Sequence, residues 1–286
     1  MRFRVLLLAS LIVPTTLTTQ ASPDSAVRAK WRIPPPVRYP AQEIYTRISP
    51  SLTFSSPSGF GPEWGDVFFG AGLQARTRYT TKPDGAFGFG FGLGDAVKWV
   101  GAELAYTSFG SGRSGFFKNA TVSAKVHRVV GPGYGVAVGM ENFAQVGPTS
   151  GPGPDGGQSL YLAVSKLYNL DPRDTASSHE LFVDVGIGNG RFRTEADYRA
   201  QKSSVGVFAA IGMRITERIA VIADYTGQDL GIALSFVPFR CVPIIVTPGF
   251  VDLTRSAGDG PRFVLGIGTG FRLKDFANIR RRQCVT

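Results

Sequence analysis

Ala120-Thr121-Val122-Ser123-Ala124-Lys125-Val126-His127 carries an apolar side chain at every even number and a polar one at every odd number. Only an extended chain sends alternate residues to opposite faces, so this stretch is a strand with one apolar and one polar face. The same period runs outward in both directions. Towards the N-terminus, Val67, Phe69, Ala71, Leu73 and Ala75 oppose Gln74, Arg76 and Arg78, and Val100, Ala102, Leu104 and Tyr106 oppose Gly101 and Glu103. Towards the C-terminus, Leu160, Leu162 and Val164, then Leu181, Val183 and Val185, then Val205, Val207 and Ile211 keep the pattern. The spacing predicts strands at 66–79, 86–94, 97–109, 115–129, 133–143, 158–170, 180–190, 204–214, 218–226, 229–237, 243–253 and 262–273.

Alternation suits a soluble sandwich, with its apolar face inward, as well as a membrane barrel, with its apolar face toward lipid. Three features favour the barrel. The strands are long, the polar face is rich in the chain's 36 glycines, and Tyr79, Tyr106, Tyr134, Tyr168, Tyr225, Phe236 and Phe271 gather near strand ends. Long tilted strands with aromatics at both interfaces are what a bilayer selects. The expected fold is therefore all-β, a single antiparallel transmembrane β-barrel of about 12 strands. With an even strand count the chain ends lie in the periplasm, as do the short turns Gly94-Asp95, Gly131-Pro132 and Thr216-Glu217, the Pro238 to Val242 segment and the longer stretch 171–179. The longer connections 144–157 and 191–203 then lie outside. Lys166 falls on the lipid side and has to snorkel to an interface.

The flanks agree with export. Met1-Arg2-Phe3-Arg4, the apolar run Val5 to Val13 and Thr19-Gln20-Ala21 form the three parts of a signal peptide, 1–21. An apolar run this short does not span a bilayer as a helix. Residues 22–57 read as a Pro-rich, basic periplasmic linker, with Arg28, Lys30 and Arg32 leading into Pro34-Pro35-Pro36; the barrel occupies 58–273, and 274–286 is a basic periplasmic tail. The net charge of +10 would suit nucleic acid in a cytosolic chain, but an exported one meets outer-membrane lipid and lipopolysaccharide instead. Acidic polysaccharide and periplasmic export proteins are the further partners that this charge and location admit, and nucleic acid is not among them.

Catalysis finds little support. Gly88-Phe89-Gly90-Phe91-Gly92 and Gly186-Ile187-Gly188-Asn189-Gly190 lack the helix that a phosphate loop requires, and no cofactor or metal motif is present. The histidines are His127 and His179, and Ser123 lies roughly 13 Å from His127 along a strand, too far for a nucleophile and its base. What repeats is charge on the inner face. Glu103, Glu141, Asp184 and Asp224 lie on strands facing the lumen, with Asp252 continuing the series, and Arg76, Arg78, Lys125, His127, Arg214 and Arg272 share that face. Such charges either pair in a dry lumen or tune selectivity in a wet one. The topology also places Cys241 and Cys284 on the periplasmic side, within reach of a disulfide in an oxidising compartment. The expected function is a non-enzymatic barrel that passes or guides an envelope polymer or small solutes; the alternatives are a closed structural or assembly barrel that binds periplasmic partners, and a lipid-modifying enzyme.

Several stretches carry a family likeness. Gly186-Ile187-Gly188-Asn189-Gly190-Arg191-Phe192, the run Ile222-Ala223-Asp224-Tyr225-Thr226-Gly227-Gln228-Asp229-Leu230-Gly231, the closing Gly-rich strand and Ser58-Gly59-Phe60-Gly61 together resemble the YjbH-like barrels and related cyanobacterial-type outer-membrane barrels. The resemblance implies a link to exopolysaccharide production and no catalytic residues. Members often carry two barrel regions, whereas this chain has room for one. Gly268, Phe271 and Leu273 are also spaced like the C-terminal signal for barrel assembly, although the tail from Lys274 follows instead of a terminal aromatic.

Overall fold

The computed structural model describes residues 49–109, 120–146, 157–170, 179–239 and 242–275. Residues 1–48, read from sequence as a signal peptide and most of the linker, Cys241 and Cys284 with their expected disulfide, and the tail from residue 276 lie outside the described residues.

Among the described residues twelve strands close on themselves, each paired antiparallel with its sequence neighbours. They are β1 (Asp66–Gln74), β2 (Asp84–Gly94), β3 (Gly101–Phe109), β4 (Ala120–Gly131), β5 (Tyr134–Val146), β6 (Ser159–Asn169), β7 (Glu180–Gly188), β8 (Gly206–Thr216), β9 (Ile219–Tyr225), β10 (Leu230–Phe236), β11 (Ile245–Val251) and β12 (Arg262–Arg272). β1 and β12 complete the ring in continuous register from Asp66 opposite Arg272 to Gln74 opposite Val264. Closure leaves no free sheet edge, the condition under which strands can cross a bilayer.

Turn chemistry explains one end of the barrel. In the β4–β5 hairpin, Pro132 and Gly133 sit between Gly131 and Tyr134, and Gly133 has φ +70°, the proline-then-glycine order of a type II turn. Asp95 caps the β2–β3 turn by accepting from the N–H groups of Val97 at 3.1 Å and Lys98 at 2.9 Å, and these bonds hold its carboxyl below the usual carboxylate range. The opposite end carries longer connections, among them a 3-10 turn (Gly190–Phe192) and a short helix α1 (Glu195–Arg199) capped by Thr194. We call these the turn end and the loop end.

The wall is apolar outside. On β6 and β8 Leu162 and Ile211 are 43% and 54% exposed, whereas their inward neighbours Ala163 and Ala210 are 0% and 2% exposed. Phe69, Phe89, Val185, Ile232 and Phe250 extend this belt around the ring. So broad an apolar surface would drive aggregation in water and is at rest only in lipid. Lys166 behaves as its position demands: its ammonium donates to the Pro132 carbonyl at 2.8 Å and lies 3.7 Å from the centre of the Tyr134 ring, at the turn-end interface.

Two expected boundaries change. The first strand stops at Gln74 instead of 79, because Ala75 makes the last bond to β12, to Phe263, before the chain turns through Thr77 and Thr80. Arg76 and Arg78 therefore leave the barrel wall for the loop end. The larger change concerns residues 49–57, read from sequence as the end of a periplasmic linker. They fold into the barrel.

Candidate functional site

Residues 49–64 form a hairpin-like strap inside the lumen. It begins at the turn end, where Ser51 donates its N–H to Ser235 Oγ on β10 at 2.8 Å. It climbs past β8, where a Cβ on Gly212 would lie 2.3 Å from the Leu52 carbonyl. At its crest the backbone N–H groups of Phe54, Ser55 and Ser56 converge on Asp224 Oδ2 at 3.1, 3.0 and 3.0 Å, and the Ser56 hydroxyl donates to the other carboxylate oxygen. Successive N–H groups turned toward one anion form a nest, and here the barrel supplies the anion.

The strap then descends along β4 to β7. Gly59 donates to Ser165 Oγ at 2.7 Å, and Ser165 in turn donates to Asp184. Gly59 and Gly135 approach so closely that a Cβ on either would lie within 2.7 Å of the other's carbonyl oxygen. The Phe60 carbonyl accepts from Lys125 Nζ at 3.0 Å, and its ring packs on Phe182. Gly61 and Gly101 both make room for buried His127: a Cβ on Gly61 would lie 2.7 Å from its Cε1, and one on Gly101 2.6 Å from the same atom. Glu63 and Asp66 then meet Arg272 at 3.4 and 2.8 Å, tying the strap's exit to the closing strand.

Strap and side chains fill one side of the lumen. Above the strap, Tyr161, Phe192 and Phe208 form a dry cluster, with Phe192 and Phe208 ring centres 4.6 Å apart. On the β12-β1-β2 side the inward residues include Gly70, Gly72, Gly266, Gly268 and Gly270, and a Cβ at Gly72 would meet nothing within 4 Å. A cavity of about 1820 Å³ runs between this glycine wall and the strap. Arg78, Tyr79, Arg199 and Gln201 line it at the loop end, and Ser51, Phe68, Gly270 and Ile245 near the turn end.

The charges expected in the lumen fall into three groups. Those facing the cavity are paired with each other: Lys125 with Glu103, its cross-strand partner, at 2.6 Å, and Glu141 with Arg191, whose second nitrogen also reaches Oε1 at 2.8 Å. A bulge in β5, with Asn142 at φ 56°, lies beside Glu141 and re-aims the strand at that point. Asp184 and Asp224 serve the strap and are each 1% exposed. At the turn end Arg214 pairs with Glu180 at 2.8 Å and is sealed from solvent. At the loop end Arg76 pairs with Asp259, outside the lumen, and Arg78 reaches Glu195 at 3.5 Å, Asp229 at 4.0 Å and Gln228 at 2.9 Å. Burial raises the Asp229 carboxyl above its ordinary range despite Arg78 and Arg262 beside it. Asp252 does not continue the luminal series; it closes the β11–β12 loop by accepting from the Ala257 and Gly260 N–H groups. His179 lies at the turn end.

Sequence reasoning missed the strap, Arg191 and Glu195. The strap bonds through backbone N–H groups, which no side-chain pattern reveals; its one signal is the run of small residues Ser55-Ser56-Pro57-Ser58-Gly59, suited to close approach. Among the described residues no three His, Cys, Asp or Glu side chains converge to hold a metal ion.

A scan against protein-family models and a search of curated proteins find no match. Among solved structures, an outer membrane channel of Pseudomonas putida F1 aligns over 77% of this chain and 100% of its own at 8% identity, with a TM-score of 0.44. The Acinetobacter baumannii outer membrane protein Omp33 aligns over 72% of this chain and 96% of its own at 10% identity, with a TM-score of 0.39. The closed strand order and the apolar exterior themselves make this chain an outer-membrane β-barrel.

Proposed function

We propose that this barrel is a channel for small polar solutes, its bore bounded by the strap on one side and the glycine wall on the other. The cavity of about 1820 Å³ between them carries the proposal. Spread over the roughly 30 Å that nine residues of β1 cover, it has a mean cross-section of about 60 Å², room for small solutes in single file. Glycine at the wall is the means: where Phe208 and Phe192 fill the opposite side, Gly70, Gly72, Gly266 and Gly268 leave the space empty.

The test is conductance of the purified protein in planar bilayers. The wild type is expected to give a steady current, and Gly72→Trp, placing a large side chain into open space, to cut it by more than half while strand content is unchanged. A wild type without steady current, together with solute entry into proteoliposomes no faster than into protein-free ones, refutes the channel. Guidance of an extended envelope polymer is the second reading, favoured by the polar side chains Gln74 and Thr107 along the same cavity. Loss of secreted polysaccharide on deletion, with solute entry undisturbed, would select it.

A further inference from the structure

Three clusters of opposite charge lie along the one cavity. At the loop end Glu195 lies between Arg78 at 3.5 Å and Arg199 at 2.7 Å; deeper, Glu141 meets Arg191; on the adjoining wall Glu103 meets Lys125 at 2.6 Å. Every one of these residues lines the cavity. What sets them apart is where they open. Arg191 and Glu141, 26% and 22% exposed, and Lys125 and Glu103, 12% and 19%, face the cavity, whereas Arg272 with Glu63, of similar exposure, and the more buried Arg214 with Glu180 do not line it. The cavity pairs therefore present both signs to whatever passes.

We propose that these clusters are stations for zwitterionic solutes, such as amino acids and short peptides, with the carboxylates receiving the ammonium end and the cations receiving the carboxylate end. The inference rests on the channel reading above. A lone cation that draws a carboxylate away from its partner leaves that partner uncompensated, and a lone anion does the converse, so the paired lumen favours neither. A neutral solute gives up water without gaining a charged partner. A zwitterion exchanges one internal pair for two external ones and leaves no charge unpaired. The next station repeats the exchange, which allows binding without trapping.

The experiment is proteoliposome swelling in glycylglycine and in N-acetylglycinamide, a solute of similar size without charges. Glycylglycine is expected to enter at least about threefold faster through the wild type, a ratio that a difference below 1 kcal/mol supplies. In the double variants Glu103→Gln with Lys125→Met, and Glu141→Gln with Arg191→Met, each of which removes a station and leaves net charge unchanged, the ratio should fall toward one through slower glycylglycine entry; because Lys125 and Arg191 also donate to the Phe60 and Ser55 carbonyls of the strap, a ratio that falls only because N-acetylglycinamide enters faster reports a displaced strap and counts against the stations. Equal entry of both solutes through the wild type overturns the station proposal and leaves the channel standing, as does a ratio that neither double variant alters. Entry of neither solute above protein-free liposomes defeats the channel itself. The wild-type comparison alone decides the case where a variant fails to fold.

Discussion

At the scale of the residue, Asp224 does the most. One carboxylate accepts three backbone N–H groups and a hydroxyl from a segment about 170 positions away in sequence. Alanine there strands three donors, each costing about 1–3 kcal/mol when left buried without a partner, so Asp224→Ala should lower stability by about 3 kcal/mol or more if the strap stays in place. If the strap leaves instead, water satisfies those donors and the loss appears as accessibility. Chymotrypsin, cutting at Leu52, Phe54 or Phe60 in the variant but not in the wild type, distinguishes the two; a variant as stable and as resistant as the parent would show that Asp224 does not hold the strap. The alternation of 218–226 puts Asp224 on the polar face of its strand, and its side chain is buried. Its partner was not legible, because a backbone N–H has the same letter-free identity at every position of a sequence.

At the scale of the element, glycine has two uses in this wall. Gly72 and Gly268 face open space, whereas Gly59, Gly135 and Gly212 allow two backbones to touch. The same substitution should therefore act in opposite senses. Gly135→Val forces a branched side chain against the Gly59 carbonyl and is expected to displace the descending limb and raise conductance, while bulk at Gly72 lowers it. A fall in conductance for both would show that the strap cannot move aside. Strand positions were legible because the apolar period survives from Val67 to Ile267, and the aromatic ends Tyr134, Tyr168 and Tyr225 sit outward where a bilayer interface wants them. Tyr106 sits in mid-strand on β3 instead, since that strand begins at Gly101 and not at 97. The bulge at Asn142 was not legible, as inserting residues on one strand leaves both flanking periods intact.

At the scale of the molecule, the acids and bases that a sequence reading assigns to one lumen belong to three jobs: fastening the strap, pairing in the cavity and closing the two ends. Period two reports a face, not a neighbour across the ring, so this division required the closed order of strands. It also separates the barrel from its contents. Of the strap only Trp64 pairs with the wall, by a bridge to Gly92 on β2, so a chain lacking residues 49–62 should still close β1 onto β12, with wider conductance and less discrimination between solutes. Loss of strand content in that deletion, read by circular dichroism in detergent, would show that the strap is part of the folding core.

Both limbs of the strap leave by the turn end, Ser51 beside Ser235 and Glu63 beside Arg272. The segment is thus folded into the barrel without being threaded through it. A pull on the chain ahead of Ser51 would peel its bonds in succession, the Ser235 contact first and the Asp224 nest next, while the ladder from Asp66 to Gln74 keeps β1 in the wall. The anchoring strand and the removable strap are consecutive stretches of one backbone, so force applied from the turn end would be converted into bore width with the β1–β12 ladder intact.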